Sequence, residues 1–90
     1  MYRIVVAKQA YKDFPNLTAA GLDKKAKALT ELLKEAPFQN PPAYEKLVGD
    51  MEGLYSRRIN LKHRLVYQVD EEHKTVKIVS AWSHYESTRP

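Results

Sequence analysis

Residues 54–69, LYSRRINLKHRLVYQV, constrain the fold of this chain more than any other stretch. They interleave Tyr55, Ile59, Leu65, Val66, Tyr67 and Val69 with Arg57, Arg58, His63 and Arg64. Aromatic and β-branched residues around a polar middle read as two strands and a tight connection. Strand side chains alternate in direction, so the register of this hairpin decides which arginines meet. A connection of odd length, centred on Leu61, places Arg58 opposite Arg64 and gathers Tyr55, Ile59, Leu65, Tyr67 and Val69 on the other face. A two-residue connection would scatter apolar residues over both faces. The odd connection buries more apolar area with fewer charges and is the expected one. Arg57 then falls among the apolar residues, and a place near the sheet edge is expected for it.

The rest of the chain supplies elements to cover this hairpin. Residues 2–7 are a short apolar run and predict a first strand. Ala7, Ala10, Tyr11, Phe14 and Leu17 recur at helical spacing, with Pro15 expected to kink or end that helix near Asp13 or Phe14. Leu22, Ala26, Leu29, Leu33 and Ala36 form a cleaner stripe that Pro37 stops, and the lysines between them are expected to be a solvated face. Residues 38–53 hold Pro41, Pro42, Gly49 and Gly53 and predict a long loop with at most one short strand or turn. Such loops are more often functional than idle. Residues 70–74 predict a charged turn and residues 75–81 a last strand.

This order, β-α-α-β-β-β, predicts an α+β fold with two N-terminal helices packed on one face of a small antiparallel sheet. Ninety residues suit a single domain, 1–90, with 86–90 expected to be a flexible tail. A five-residue second turn would put Ser80 opposite Arg64, Ile78 opposite Val66, and His84 on the face of Arg58 and Arg64.

Composition narrows the chemistry. The chain has no cysteine, which excludes disulfides and thiolate metal sites, and its net charge of +4 favours an acidic partner. No stretch suits a signal peptide or membrane span, so a cytoplasmic protein is expected. His63 and His73 are expected to be solvated, their spacing from His84 fits no metal pattern, and Trp82 is expected to pack. Arg58, Arg64 and His84 on one open face match the needs of a metal-free ribonuclease. Such an enzyme requires cations for the phosphate charge, an acid for the leaving oxygen, and a base for the ribose 2′-hydroxyl. Arginine offers a permanent forked donor, and histidine, with an unperturbed pKa of about 6.5, can carry a proton near neutrality. The loop offers Glu45, Asp50 and Glu52 as bases.

The run YEKLVGDMEGLYSRRINLKHRLVYQV, together with WSHYE near the end, resembles the YoeB (Txe/YoeB) family of bacterial toxins in the RelE-like superfamily. The combination of YSRRIN, HRLVY and WSHY is far more specific than any one piece. The resemblance implies an endoribonuclease that cuts mRNA in the ribosomal A site without a metal or other cofactor, leaving a 2′,3′-cyclic phosphate and a 5′-hydroxyl. It implies Glu45 as general base, His84 as general acid and Arg64 as the arginine stabilising the phosphate. Arg58 would be a second phosphate contact, and Tyr85 a residue positioning substrate. Where the best-known member of the family carries a lysine three residues past the glutamate, this chain has Val48; either Lys46 is the replacement for that charge or the loop differs. The implied partners are mRNA, the ribosome with its rRNA, a cognate YefM-like antitoxin, and a second copy in a homodimer. Two alternatives stand beside this reading. One is a basic RNA- or ribosome-binding module without chemistry; the other is a RelE-fold toxin acting on another target such as gyrase.

Overall fold

The computed structural model describes the backbone of residues 1–84 and the side chains of residues 1–82. The chain runs β1 (Arg3–Val6), α1 (Lys8–Tyr11), α2 (Phe14–Ala19), α3 (Asp23–Glu35) and β2 (Tyr44–Lys46). A single 3-10 turn (Gly49–Met51) follows, then β3 (Tyr55–Arg58), β4 (His63–Asp70) and β5 (Thr75–His84). The first predicted helix is thus two short ones. Pro15 does not terminate a helix here; it lies in the first turn of α2, where a missing N–H and a fixed φ cost nothing. Gly21, two residues past the end of α2, has φ 74° and closes the helix, with Leu22 N–H donating to the Leu17 carbonyl at 2.8 Å and Gly21 N–H to that of Thr18 at 3.1 Å. That paired closure needs a left-handed residue, which glycine adopts without a Cβ penalty. α3 forms as predicted, with Ala26, Leu29 and Leu33 buried on one stripe.

The sheet has the order β1-β5-β4-β3-β2 and is antiparallel except where β1 lies parallel to β5. The β3–β4 register places Arg58 opposite Arg64 and Tyr55 opposite Tyr67, as expected. Asn60 holds the connection, its Oδ1 accepting from Lys62 N–H at 2.9 Å and His63 N–H at 2.8 Å. A short polar side chain that bonds its own turn in this way sets the register locally. Leu65, Tyr67 and Ile59 face the helices and join Leu17, Leu29, Leu33, Val76 and Ile78 in the core.

The second hairpin departs from expectation. Asp70 pairs with Thr75, so the turn holds four residues between them, and Ile78 faces Tyr67 in the core instead of Val66. Two register shifts then follow, so that Ser80 stands opposite Val66 and Ser83 opposite Arg64. Extra residues in one strand free backbone groups from the ladder. Asp13, in the break between α1 and α2, meets one of them: its Oδ2 accepts from Ala81 N–H at 2.8 Å. The broken helix and the bulged strand are therefore one arrangement.

His63 is buried, not solvated, and stacks on Trp82 with ring centroids 3.7 Å apart. His73 is exposed as expected, its Nδ1 2.8 Å from Asp70 Oδ2. Among the described residues no helix is long and apolar enough to cross a membrane.

Candidate active site

The edge strand β2 is what the long loop contributes. Its register sets Glu45 opposite Ser56, and Ser56 in turn lies opposite Val66 on β4. Residues directly opposite in antiparallel strands share a face. Glu45, Ser56, Arg58 and Arg64 therefore stand on the side of the sheet turned away from Leu65 and Tyr67.

Contacts follow this parity. Arg64, only 2% exposed, donates from Nη2 to Glu45 Oε1 at 3.0 Å and from Nη1 to Ser56 Oγ at 2.6 Å. Glu45 keeps half of its side chain in solvent. A permanent cation is thus buried at the floor, and a carboxylate spans from it to the opening. Arg58 is exposed beside them, and the four residues line a cleft of about 290 Å³. Pro42, Ala43 and Tyr44, with Lys25 and Leu29 of α3, complete its lining.

Of the three loop carboxylates expected as bases, only Glu45 lines this cleft. Lys46 pairs with Tyr55, and strand alternation turns it to the face opposite Glu45. The backbone of His84 pairs with His63, one step beyond the Arg64–Ser83 pair. The His84 side chain, Tyr85 and the expected tail 86–90 lie outside the described residues. Ser56 and Lys25 were not anticipated. Ser56 could have been found by the parity that pairs Arg58 with Arg64, since it lies two residues before Arg58. Nothing in the sequence marks Lys25, because its position depends on how α3 lies over the sheet end.

Arg57 points the other way and is not near a sheet edge in the expected sense. It is fully buried, and its guanidinium donates to the carbonyls of Pro42 at 2.6 Å, Gln39 at 2.8 Å and Pro37 at 2.9 Å. Tyr44 lies under it, with 5.1 Å from the guanidinium carbon to the ring centroid. The Tyr67 hydroxyl donates to the same Pro37 carbonyl at 3.1 Å, and burial pushes its pKa up. Arg57 thus fastens the segment that leads into β2, and so positions Glu45 from behind.

A second cavity, of about 260 Å³, lies between α2, α3 and the sheet. Phe14, Leu17, Leu65 and Ile78 make its wall chiefly apolar, with Asp23 and Lys27 its charged groups. It lacks the paired carboxylate and arginines that acid–base work on a phosphodiester demands. Among the described residues no group of three His, Cys, Asp or Glu side chains could hold a metal ion.

Fold and cleft together define a class that comparison with known proteins identifies. A chain from Agrobacterium tumefaciens described as a YoeB/ParE toxin superposes with a TM-score of 0.81 at 29% identity, covering 92% of this chain and 99% of that one. A YoeB–YefM complex from Staphylococcus aureus gives 0.75 at 34% identity over 94% and 99%. The toxin YoeB of Mycobacterium bovis is 37% identical over 79 residues, 84% of this chain and 89% of that protein. Residues 6–85 match the model of the YoeB-like toxins of bacterial type II toxin–antitoxin systems. The chain belongs to that family.

Proposed function

We propose that this toxin is a ribosome-dependent endoribonuclease that cleaves mRNA in the A site by metal-free acid–base chemistry. The observation that carries the proposal is the Glu45–Arg64 pair: a half-exposed carboxylate held at 3.0 Å by a buried guanidinium in a cleft. Arg64 occupies Oε1, which leaves Oε2 of Glu45 for a substrate hydroxyl. Glu45 takes the proton of the ribose 2′-hydroxyl, and the 2′-oxygen attacks the adjacent phosphorus. The P–O5′ bond breaks, and His84 protonates the departing 5′-oxygen. The products are a 2′,3′-cyclic phosphate and a 5′-hydroxyl. Arg64 and Arg58 meet the charge that grows on the phosphate, and fixed donors of this kind contribute roughly 10²- to 10³-fold each. Tyr85, beside the acid, positions the substrate.

A ribosome requirement suits the site, because Glu45 and Arg58 are open to water until a partner covers them. The solved YoeB–YefM complex of S. aureus, and a solved YoeB dimer from the same organism, support a YefM-like antitoxin and self-association as partners.

The test is cleavage of mRNA on ribosomes with an open A site, resolved at single nucleotides. The wild type is expected to cut and to leave a 5′-hydroxyl. Glu45→Gln and His84→Ala are expected to bind ribosomes but not cut. Wild-type-like cutting by either variant refutes its assigned role. Ribosome binding with no cutting by the wild type leaves the binding-module reading in its place.

A further inference from the structure

We propose that Asp13, with Gln9, positions the acid end of β5: the two side chains hold the bulged register that sets the His84 backbone one step from Arg64. This role rests on the ribonuclease reading above. From Asp70–Thr75 to Tyr67–Ile78 the β4–β5 ladder runs without interruption. Continued at that spacing, it would set Arg64 opposite Ala81, and His84 opposite Leu61, outside β4. The chain does otherwise. Val79 falls between the Tyr67–Ile78 and Val66–Ser80 pairs, and Ala81 and Trp82 fall between the Val66–Ser80 and Arg64–Ser83 pairs. Two extra residues are taken up in this way, and the His84 backbone arrives opposite His63, next to Arg64. At about 3.3 Å per strand residue, the end of β5 is drawn back by roughly 7 Å. Misplacement of a reacting group by about 1 Å can already cost 10²-fold in rate.

Alternation decides little between the two ladders, because a displacement of two residues restores parity beyond Ala81. Contacts from outside the sheet decide more. Ala7 N–H donates to the Ile78 carbonyl at 2.8 Å, Gln9 Nε2 to the Val79 carbonyl at 3.0 Å, and Ala81 N–H to Asp13 Oδ2 at 2.8 Å. The Ser80 hydroxyl lies 3.4 Å from the same oxygen. Residues 7–13 thus follow residues 78–81, and both bonds to side chains fall within the shifted stretch. A backbone group taken out of a ladder costs free energy unless another partner meets it. Gln9 and Asp13 are such partners.

Asp13 gives up an ordinary role to do this. It stands at the N-cap of α2, where an aspartate usually accepts from its own helix, yet its side chain makes no cap bond. The carboxylate is turned to β5 instead. Bulges beside active sites re-aim what the strand carries. This one governs the level of His84 on β5, while Glu45, Arg58 and Arg64 come from β2, β3 and β4. Asp13 therefore acts on proton donation to the leaving oxygen and leaves phosphate binding to other groups.

The experiment compares wild type, Asp13→Ala, Asp13→Asn, Gln9→Ala and the control Glu31→Ala, whose carboxylate pairs with Lys34 on α3. NMR reads the register from cross-strand contacts of Arg64 with either Ser83 or Ala81. Cleavage of mRNA on ribosomes with an open A site gives kcat and KM.

Asp13→Ala is expected to shift the Arg64 contacts from Ser83 toward Ala81, and to lower kcat about 10²-fold with KM within about twofold. Asp13→Asn keeps an acceptor oxygen and should hold the register, with kcat within about threefold of the wild type. Gln9→Ala loses one exposed neutral bond and should move both readouts the same way, by about threefold in kcat. Glu31→Ala should move neither. A wild-type register in Asp13→Ala overturns the proposal, and so does an altered register with unchanged kcat. An Asp13→Asn protein as slow as Asp13→Ala also overturns it, because acceptance by Asp13 is then not what matters. If Asp13→Ala does not fold, Gln9→Ala decides, and wild-type values in both of its readouts overturn the proposal. A wild type that does not cut overturns the ribonuclease reading and the positioning role with it. An active wild type that Glu45→Gln silences keeps the two separable.

Discussion

Arg57 and Arg64 belong to one hairpin, are both buried, and do opposite work. Arg57 faces the helix side and donates to the backbone carbonyls of Pro37, Gln39 and Pro42. Arg64 faces the cleft and donates to two side chains, Glu45 and Ser56. Carbonyls cannot leave or titrate, so Arg57 closes a fixed joint. A half-exposed carboxylate can turn to a substrate, so Arg64 holds a group that remains available. What separates scaffold from site here is the kind of acceptor, not the burial or the charge of the donor.

The comparison predicts its own largest effect. Arg57→Ala strips charge-assisted donors from three carbonyls, one in a buried bond and two in partly buried ones, of which, among the described residues, only Pro37 keeps another donor, the Tyr67 hydroxyl. Leaving such groups unpaired is expected to cost about 3–5 kcal/mol of folding free energy, a large part of a small domain's stability. Urea unfolding measures it. A loss under about 1 kcal/mol would mean that water replaces the guanidinium and that Arg57 is no joint.

The next effect lies on the other face and in another observable. Glu45→Gln is expected to lower cleavage by about 10²- to 10⁴-fold, the usual range for a positioned base. Its stability should change by no more than about 1 kcal/mol, because the carboxylate is half in water and its pair with Arg64 is partly screened. A Glu45→Gln protein that unfolds as readily as Arg57→Ala would erase the distinction between the two faces.

The parts of this division that the sequence revealed are those with a period. Tyr55, Ile59, Leu65, Tyr67 and Val69 alternate, and alternation alone predicted the buried side and the Arg58–Arg64 pair. The α3 stripe and the stop at Pro37 were legible for the same reason. What was not legible depends on distant contacts. No glycine or proline marks the shifts in β5, which are held by Asp13 from 68 residues away. Pro15 announced an interruption but not that it would begin a new helix. His63 looked like a solvated turn residue until Trp82 covered it. Glu45 stood out from Asp50 and Glu52 as the proposed base only through the resemblance, since one carboxylate among three in a loop carries no pattern. Parity placed Arg57 among the apolar residues but gave it no role, because its acceptors are backbone atoms, which no sequence motif displays.

A smaller effect sharpens the helix-side joint. Tyr67→Phe removes a second donor to Pro37 and should cost about 1 kcal/mol, with cleavage unchanged. The hydroxyl also gives the joint a pH signature. Its folded pKa is raised by burial, so its contribution is complete below the unfolded value of about 10 and is lost as pH rises through the folded value. Alkaline unfolding of the wild type should therefore begin at lower pH than that of Tyr67→Phe. Coincident alkaline transitions would show that ionised Tyr67 finds an equal environment in the fold, as Arg57 nearby could provide.

The smallest expected effect tests whether burial is needed at all for a strong joint. Asp70 and His73 approach to 2.8 Å, closer than Glu45 and Arg64 at 3.0 Å, yet both are well exposed. The His73 side chain beside Asp70 lowers the Asp70 pKa, helped by the His73 backbone N–H. A depressed carboxylate stabilises above its unfolded pKa and loses that contribution as pH falls through the folded one, so the effect belongs to the acid limb. Asp70→Asn should lower Tm slightly at pH 6, and the gap from the wild type should close toward pH 3. Added salt should shrink the gap at pH 6, because exposed charges are screened. If short distance alone made a pair strong, Asp70→Asn would rival Arg57→Ala at neutral pH, and the division by acceptor would have to give way to one by distance.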